Sequence, residues 1–76
     1  MATIPAFEER IRALRAKGRA RTPEESVELG WLLTELKTQM PPGDFYTHIL
    51  EVLRIPSRTA QRYMRLFRTH QEAEGH

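Results

Sequence analysis

The chain has no cysteine, which excludes disulfides and thiolate-bound zinc as sources of stability and fits a reducing compartment. Nor does any stretch approach the roughly eighteen consecutive apolar residues of a membrane span, and the N-terminus lacks a signal peptide's apolar core. A cytoplasmic setting is therefore expected, in a bacterial cell or phage-infected host and associated with the nucleoid, with no membrane partner. Signs of catalysis are missing too. There is no glycine-rich phosphate loop, no serine or cysteine nucleophile signature, and no pair of carboxylates in apolar surroundings. His48, His70 and His76 do not share a metal-ligand spacing. No enzyme, cofactor or metal site is expected. The most telling absence is local: between Glu51 and Glu72 there is no acidic residue at all.

Within that acid-free stretch stand Arg54, Arg58, Arg62, Arg65 and Arg68. Net charge is only +2 over 76 residues, but its distribution is uneven. A first basic zone holds Arg10, Arg12, Arg15, Lys17, Arg19 and Arg21, while acids gather at Glu8-Glu9, between Glu24 and Glu35, and in the tail. Two basic zones separated by an acidic one are the pattern of a polyanion-binding protein more than of an evenly solvated surface. A chain of this length buries only about 60% of its unfolded surface. Without disulfide or metal it depends on efficient helix packing or on self-association.

Apolar spacing indicates an all-α domain of four helices. Pro5 suits a first helical turn, Phe7, Ile11 and Leu14 follow at helical spacing, and Gly18 is a natural stop. This gives a first helix over about 5–17, preceded by a loose 1–3 and followed by a connector, flexible in character, over 18–21. Thr22-Pro23-Glu24-Glu25 reads as a capping box, with carboxylates at the positive end of the helix dipole. Leu29, Leu32, Leu33, Leu36 and Met40 form one stripe of a second helix over about 23–40, ended by Pro41-Pro42. Gly30 sits mid-helix, at a cost of about 1 kcal/mol relative to alanine, and such a glycine usually lets another backbone approach. Val27 and Trp31 lie off the main stripe. They are covered by the first helix, or else form a dimer or partner face together with Phe7, Ile11 and Leu14.

Asp44 is the expected N-cap of a third helix over about 45–53, with Phe45, Ile49, Val52 and Leu53 inward and Tyr46 and Leu50 alongside. Pro56 disfavours a helical Ile55, and Ser57 is the expected N-cap of a fourth helix over about 57–69. In that helix Ala60, Tyr63, Met64 and Phe67 share one face, and the arginines occupy the rest. The layout is that of a helix-turn-helix. The expected division is an N-terminal amphipathic helix with basic linker (1–21), the helix-turn-helix domain (22–70) and a frayed tail (71–76).

The run Ile55-Pro56-Ser57-Arg58-Thr59-Ala60-Gln61-Arg62-Tyr63 resembles the I-S-x-x-T-V-x-R-Y type of segment in bacterial helix-turn-helix proteins. Arg54 stands where glycine is usual at the turn, and Leu50 where alanine is common. A longer resemblance spans Ser26 to His70. It is carried by Gly30-x-x-Leu33-x-x-x-Lys37, Pro42-Gly43-Asp44-Phe45 and Ser57-x-Thr59-Ala60-x-Arg62-x-Met64. It is similar to a small domain family of uncharacterised function in phage, plasmid and other mobile-element proteins, and it implies a long helix followed by a helix-turn-helix-like pair.

The expected function is sequence-specific binding of double-stranded DNA by a homodimeric transcriptional regulator, with the fourth helix in the major groove. Ser57, Arg58, Gln61 and Arg62 then meet base edges, since arginine suits guanine and glutamine suits adenine. Arg54, Thr59, Arg65 and Arg68 contact phosphates, Tyr46 and the start of the third helix lie near the backbone, and Lys17, Arg19 and Arg21 form a basic arm. The alternative is a protein-interaction module, a mobile-element factor docking on a larger partner through the Val27/Trp31 face and the first helix.

Overall fold

The structure, a computed structural model, describes residues 3–74. Its helices are α1 (Ile4–Ala16), α2 (Pro23–Thr38), α3 (Asp44–Val52) and α4 (Ser57–Glu74), with a single 3₁₀ turn at Gly18–Ala20. The all-α, four-helix architecture expected from the spacing of apolar residues is the one observed. No helix among the described residues is long and apolar enough to cross a membrane.

Local chemistry explains most helix ends. The Thr22 hydroxyl accepts from the Glu25 N–H at 3.1 Å, and the Glu25 carboxylate accepts from the Thr22 N–H at 3.0 Å. This is the reciprocal capping box. Thr3, placed in a loose segment by the sequence reading, instead caps α1, its hydroxyl accepting from the Ala6 N–H at 3.4 Å. Two expected caps are displaced by one residue. Gly43, left-handed at φ 91°, is the N-cap of α3, and Asp44 is its first helical residue. Ser57 likewise opens α4 from within, the first closing bond running from the Ala60 N–H to the Pro56 carbonyl at 3.0 Å. α4 also continues to Glu74, through most of the expected frayed tail; Gly75 and His76 lie outside the described residues.

One core unites all four helices. Phe7, Ile11 and Leu14 of α1 are buried with Leu29, Leu32, Leu33 and Leu36 of α2, Phe45 and Ile49 of α3, Leu53 and Ile55 of the turn, and Ala60 and Tyr63 of α4. The first helix therefore spends its apolar stripe inside the chain. Phe7, Ile11 and Leu14 do not form a partner face, and what remains outward there is Trp31, 39% exposed, which meets Phe7 edge-on at 6.0 Å. Val27 is half-buried. Val52, expected on the inward face of α3, points outward at 42% exposure, and Leu50, expected beside that face, is 51% exposed.

The main packing is of α4 on α2, with α3 touching α4 more lightly. Gly30 is where the two long helices cross. A Cβ built there would stand 2.0 Å from the Tyr63 carbonyl oxygen and 2.8 Å from the Phe67 Cβ. The mid-helix glycine thus admits the backbone of α4, as a glycine in the middle of a long helix suggested.

Candidate nucleic-acid interface

The turn that sets the start of α4 is Leu53-Arg54-Ile55-Pro56. Both the Leu53 and the Ile55 N–H groups bond the Ile49 carbonyl, at 3.0 Å each, and Arg54 between them takes the left-handed conformation at φ 59°. That is the conformation for which glycine is the usual residue, so the glycine-to-arginine departure at the turn is also a departure in backbone comfort. Arg54 is exposed, whereas Leu53 and Ile55 are buried and anchor the turn to the core.

From this anchor α4 presents two unlike faces. Ala60 and Tyr63 are buried, with Met64 and Phe67 half-buried beside them. At 100° per residue, Arg58, Arg62, Arg65 and Thr69 share the opposite face, and all four are exposed. Gln61 and Arg68, also exposed, lie on one flank of it, and the half-buried Thr59 lies on the other. Ser57 is exposed at the helix start. The expected base-contacting set, Ser57, Arg58, Gln61 and Arg62, is thus outward and contiguous. Thr59 lies on the side of α4 opposite Arg68.

Charge pairing sharpens the contrast between the two basic zones. Among the described residues none of Arg54, Arg58, Arg62, Arg65 and Arg68 pairs with a carboxylate, whereas the first zone is partly neutralised. Arg10 donates to both oxygens of Glu28, at 2.7 and 3.0 Å, and this hydrogen bond holds the Glu28 carboxyl below the usual carboxylate range. Lys17 pairs with Glu25; that hydrogen bond, helped by the Thr22 backbone N–H, lowers the Glu25 carboxyl to about 2. Arg21 is tied inward, donating to the Leu14 carbonyl at 3.1 Å and to the Tyr63 hydroxyl, with its guanidinium 5.2 Å from the Tyr63 ring centre. The basic arm expected of Lys17, Arg19 and Arg21 therefore does not form as a free segment. Its connector is a 3₁₀ turn, Lys17 is neutralised, Arg21 locks α4 to the end of α1, and of the three only Arg19 is exposed and without an acidic partner among the described residues. No family model, curated protein or solved structure matches the chain. The likeness to small mobile-element domains rests on the residues quoted for it alone.

Arg62 faces the same tyrosine from outside, its guanidinium 5.4 Å from the ring centre. Tyr63 therefore carries one arginine on its inner side and one toward solvent, and the aromatic ring limits where Arg62 can swing. On the flank with Gln61 and Arg68 a groove of about 630 Å³ opens between α2, α3 and α4. Lys37 of α2 and Tyr46 of α3 stand across it from Arg65 and Arg68. The sequence singled out Tyr46, as an expected neutral phosphate contact, but it did not bring Lys37 to this groove, because nothing in the spacing of α2 places its polar flank beside α4.

Proposed function

We propose that the protein binds double-stranded DNA in a sequence-dependent way, as a small transcriptional regulator, with α4 as the recognition helix. The observation that carries this reading is the unneutralised arginine face of α4. Arg58, Arg62 and Arg65 stand exposed and, among the described residues, without carboxylate partners, on a helix fixed from behind by the crossing at Gly30. A phosphate-rich polymer is the partner that such a face suits, and the first two turns carry the residue types that read guanine and adenine edges. Arg58 and Arg62 lie nearest the helix start and take the base edges with Gln61, while Arg54 in the preceding turn and Arg68 further along the helix take phosphates. One such helix supplies limited specificity, so the protein acts as a dimer on two half-sites.

A random-site selection on the purified chain, followed by a salt titration of the winning duplex, tests this. An inverted-repeat winner that outcompetes random DNA at physiological salt supports a dimeric reader. No enrichment, with binding lost at physiological salt, refutes it and leaves the protein-interaction alternative on the Val27/Trp31 side of α2.

A further inference from the structure

The groove beside α4 has the chemistry of an anion seat. Lys37, Arg65 and Arg68 line it with Tyr46, Gln61 and Gln71 as neutral donors, and no carboxylate is among its lining residues. Lys37 is exposed and its ammonium lies 5.5 Å from the Tyr46 ring centre, so the tyrosine holds the charge at the groove without neutralising it. The other lysine of the chain, Lys17, is the counter-example, because Glu25 cancels it. Arg65 and Gln61 belong both to the groove and to the outward side of α4, which makes the two surfaces continuous. The floor contains Met64 and Phe67, apolar surface of the kind a sugar can rest on.

We propose that this groove seats one phosphodiester strand of the DNA whose bases α4 reads, with Lys37 as a phosphate contact contributed by α2. The inference rests on the DNA-binding reading above and extends the footprint from one helix to three. The strand passes Arg65 and Arg68 on one wall and Lys37 and Tyr46 on the other, while Arg58 and Arg62 remain on the base side. Attraction is electrostatic and independent of sequence, so this wall supplies affinity and orientation in place of discrimination.

Because the chain has two lysines, reductive methylation with ¹³C-formaldehyde places a charge-preserving probe at Lys17, Lys37 and the N-terminus. Titrating the selected duplex into the labelled full chain is expected to move the Lys37 signal and leave the Lys17 signal in place. Lys37→Gln is expected to lower the slope of log K against log salt by about 0.9 per protomer, hence by about 1.8 for the dimer on two half-sites. Between 50 and 200 mM salt the wild-type dimer then loses about 12-fold more affinity than the variant. Both results are required. A duplex that binds while the Lys37 signal stays fixed, or a slope unchanged by Lys37→Gln, overturns the strand-seating proposal and leaves α4 as a DNA reader. A Lys37 signal moved by inorganic tripolyphosphate and not by duplex also overturns it, in favour of a free phosphate ligand. Failure of any duplex to move any signal or bind at 50 mM salt overturns the parent reading as well.

Discussion

Replacing Gly30 by alanine is the most direct test of how α4 is held. Taken by itself a glycine-to-alanine change inside a helix stabilises by about 1 kcal/mol, through propensity. Here the new Cβ would lie 2.0 Å from the Tyr63 carbonyl oxygen, whereas ordinary contact begins near 3.4 Å, so α2 and α4 must separate by about 1.4 Å at their crossing. The obstructing atoms are backbone and a Cβ, with no rotamer to turn aside. A radial gap of about 0.5–1 Å already forfeits a quarter to a half of a dispersion contact. The opening spreads to neighbouring pairs around Leu33 and Ala60. Overpacking of this kind costs about 1–3 kcal/mol even where side chains can adjust. The propensity gain is offset and exceeded, and Gly30→Ala should lose about 2 kcal/mol net. Against a total of roughly 4–11 kcal/mol for a chain of this length, that is a fall in Tm of about 8–16 °C. Thermal and urea melts followed by far-ultraviolet circular dichroism measure it, with Gly30→Val expected to be worse. An alanine variant that melts at or above the wild type would show that the helices do not meet backbone to backbone at Gly30.

Four further outcomes are expected. Arg62→Ala should relax base preference in a competition assay, whereas Arg68→Ala should weaken all duplexes alike and lower the salt slope by about 1 per bound protomer; equal losses on selected and random DNA for both variants would remove that division of roles. Arg54→Gly relieves a left-handed backbone that costs an L-residue about 1–2 kcal/mol. Allowing for glycine's greater unfolded freedom, it should stabilise by about 0.5–1 kcal/mol while weakening DNA binding, and a lowered Tm would contradict the turn geometry. Tyr63→Phe leaves the part-buried Arg21 guanidinium without its hydroxyl acceptor, and a loss of about 1–2 kcal/mol is expected in urea melts; an unchanged midpoint would mean that the tie is not made. Lys17→Met tests the lowered Glu25 carboxyl. A carboxyl with a depressed folded pKa contributes stability above its unfolded value, and that contribution is lost as pH falls through the folded value of about 2. The stability gap between wild type and Lys17→Met should therefore be constant from pH 7 to 5 and close between about 4.5 and about 2, and a gap that persists to the lowest pH would exclude the pairing as its cause.

The four helices were legible because each carries a strong local signal: an apolar stripe at helical spacing, a proline at its start or end, or a capping box at Thr22. The crossing at Gly30 was legible for a similar reason, since an uncompensated glycine in a long helix asks for a neighbour. Errors arose where one residue type serves two positions. Asp44 and Ser57 are good caps, but Gly43 and Pro56 already supply the turn, and the polar residues became the first of their helices instead. The pairing of charges was the larger gap. Nothing in the order of residues says that Lys17 meets Glu25, that Arg21 reaches Tyr63 forty-two positions away, or that Lys37 faces Arg68 across a groove. Those contacts depend on how helices stack. The sequence pattern therefore identified the arginines of α4 but counted as free two cations of the first zone that the fold occupies.

The separation of the two faces of α4 has a consequence for how such a protein changes over time. Its seat on α2 is fixed by main-chain contact at Gly30 and by the buried Ala60 and Tyr63, none of which overlaps Arg58, Gln61 or Arg65. Drift at those outward positions alters what the helix meets without loosening its attachment. Arg62 is the exception, because it leans on Tyr63, and Tyr63 in turn holds Arg21. Arg58, Gln61 and Arg65 are thus open to innovation at little structural risk, while Arg62 ties any new preference back to the scaffold.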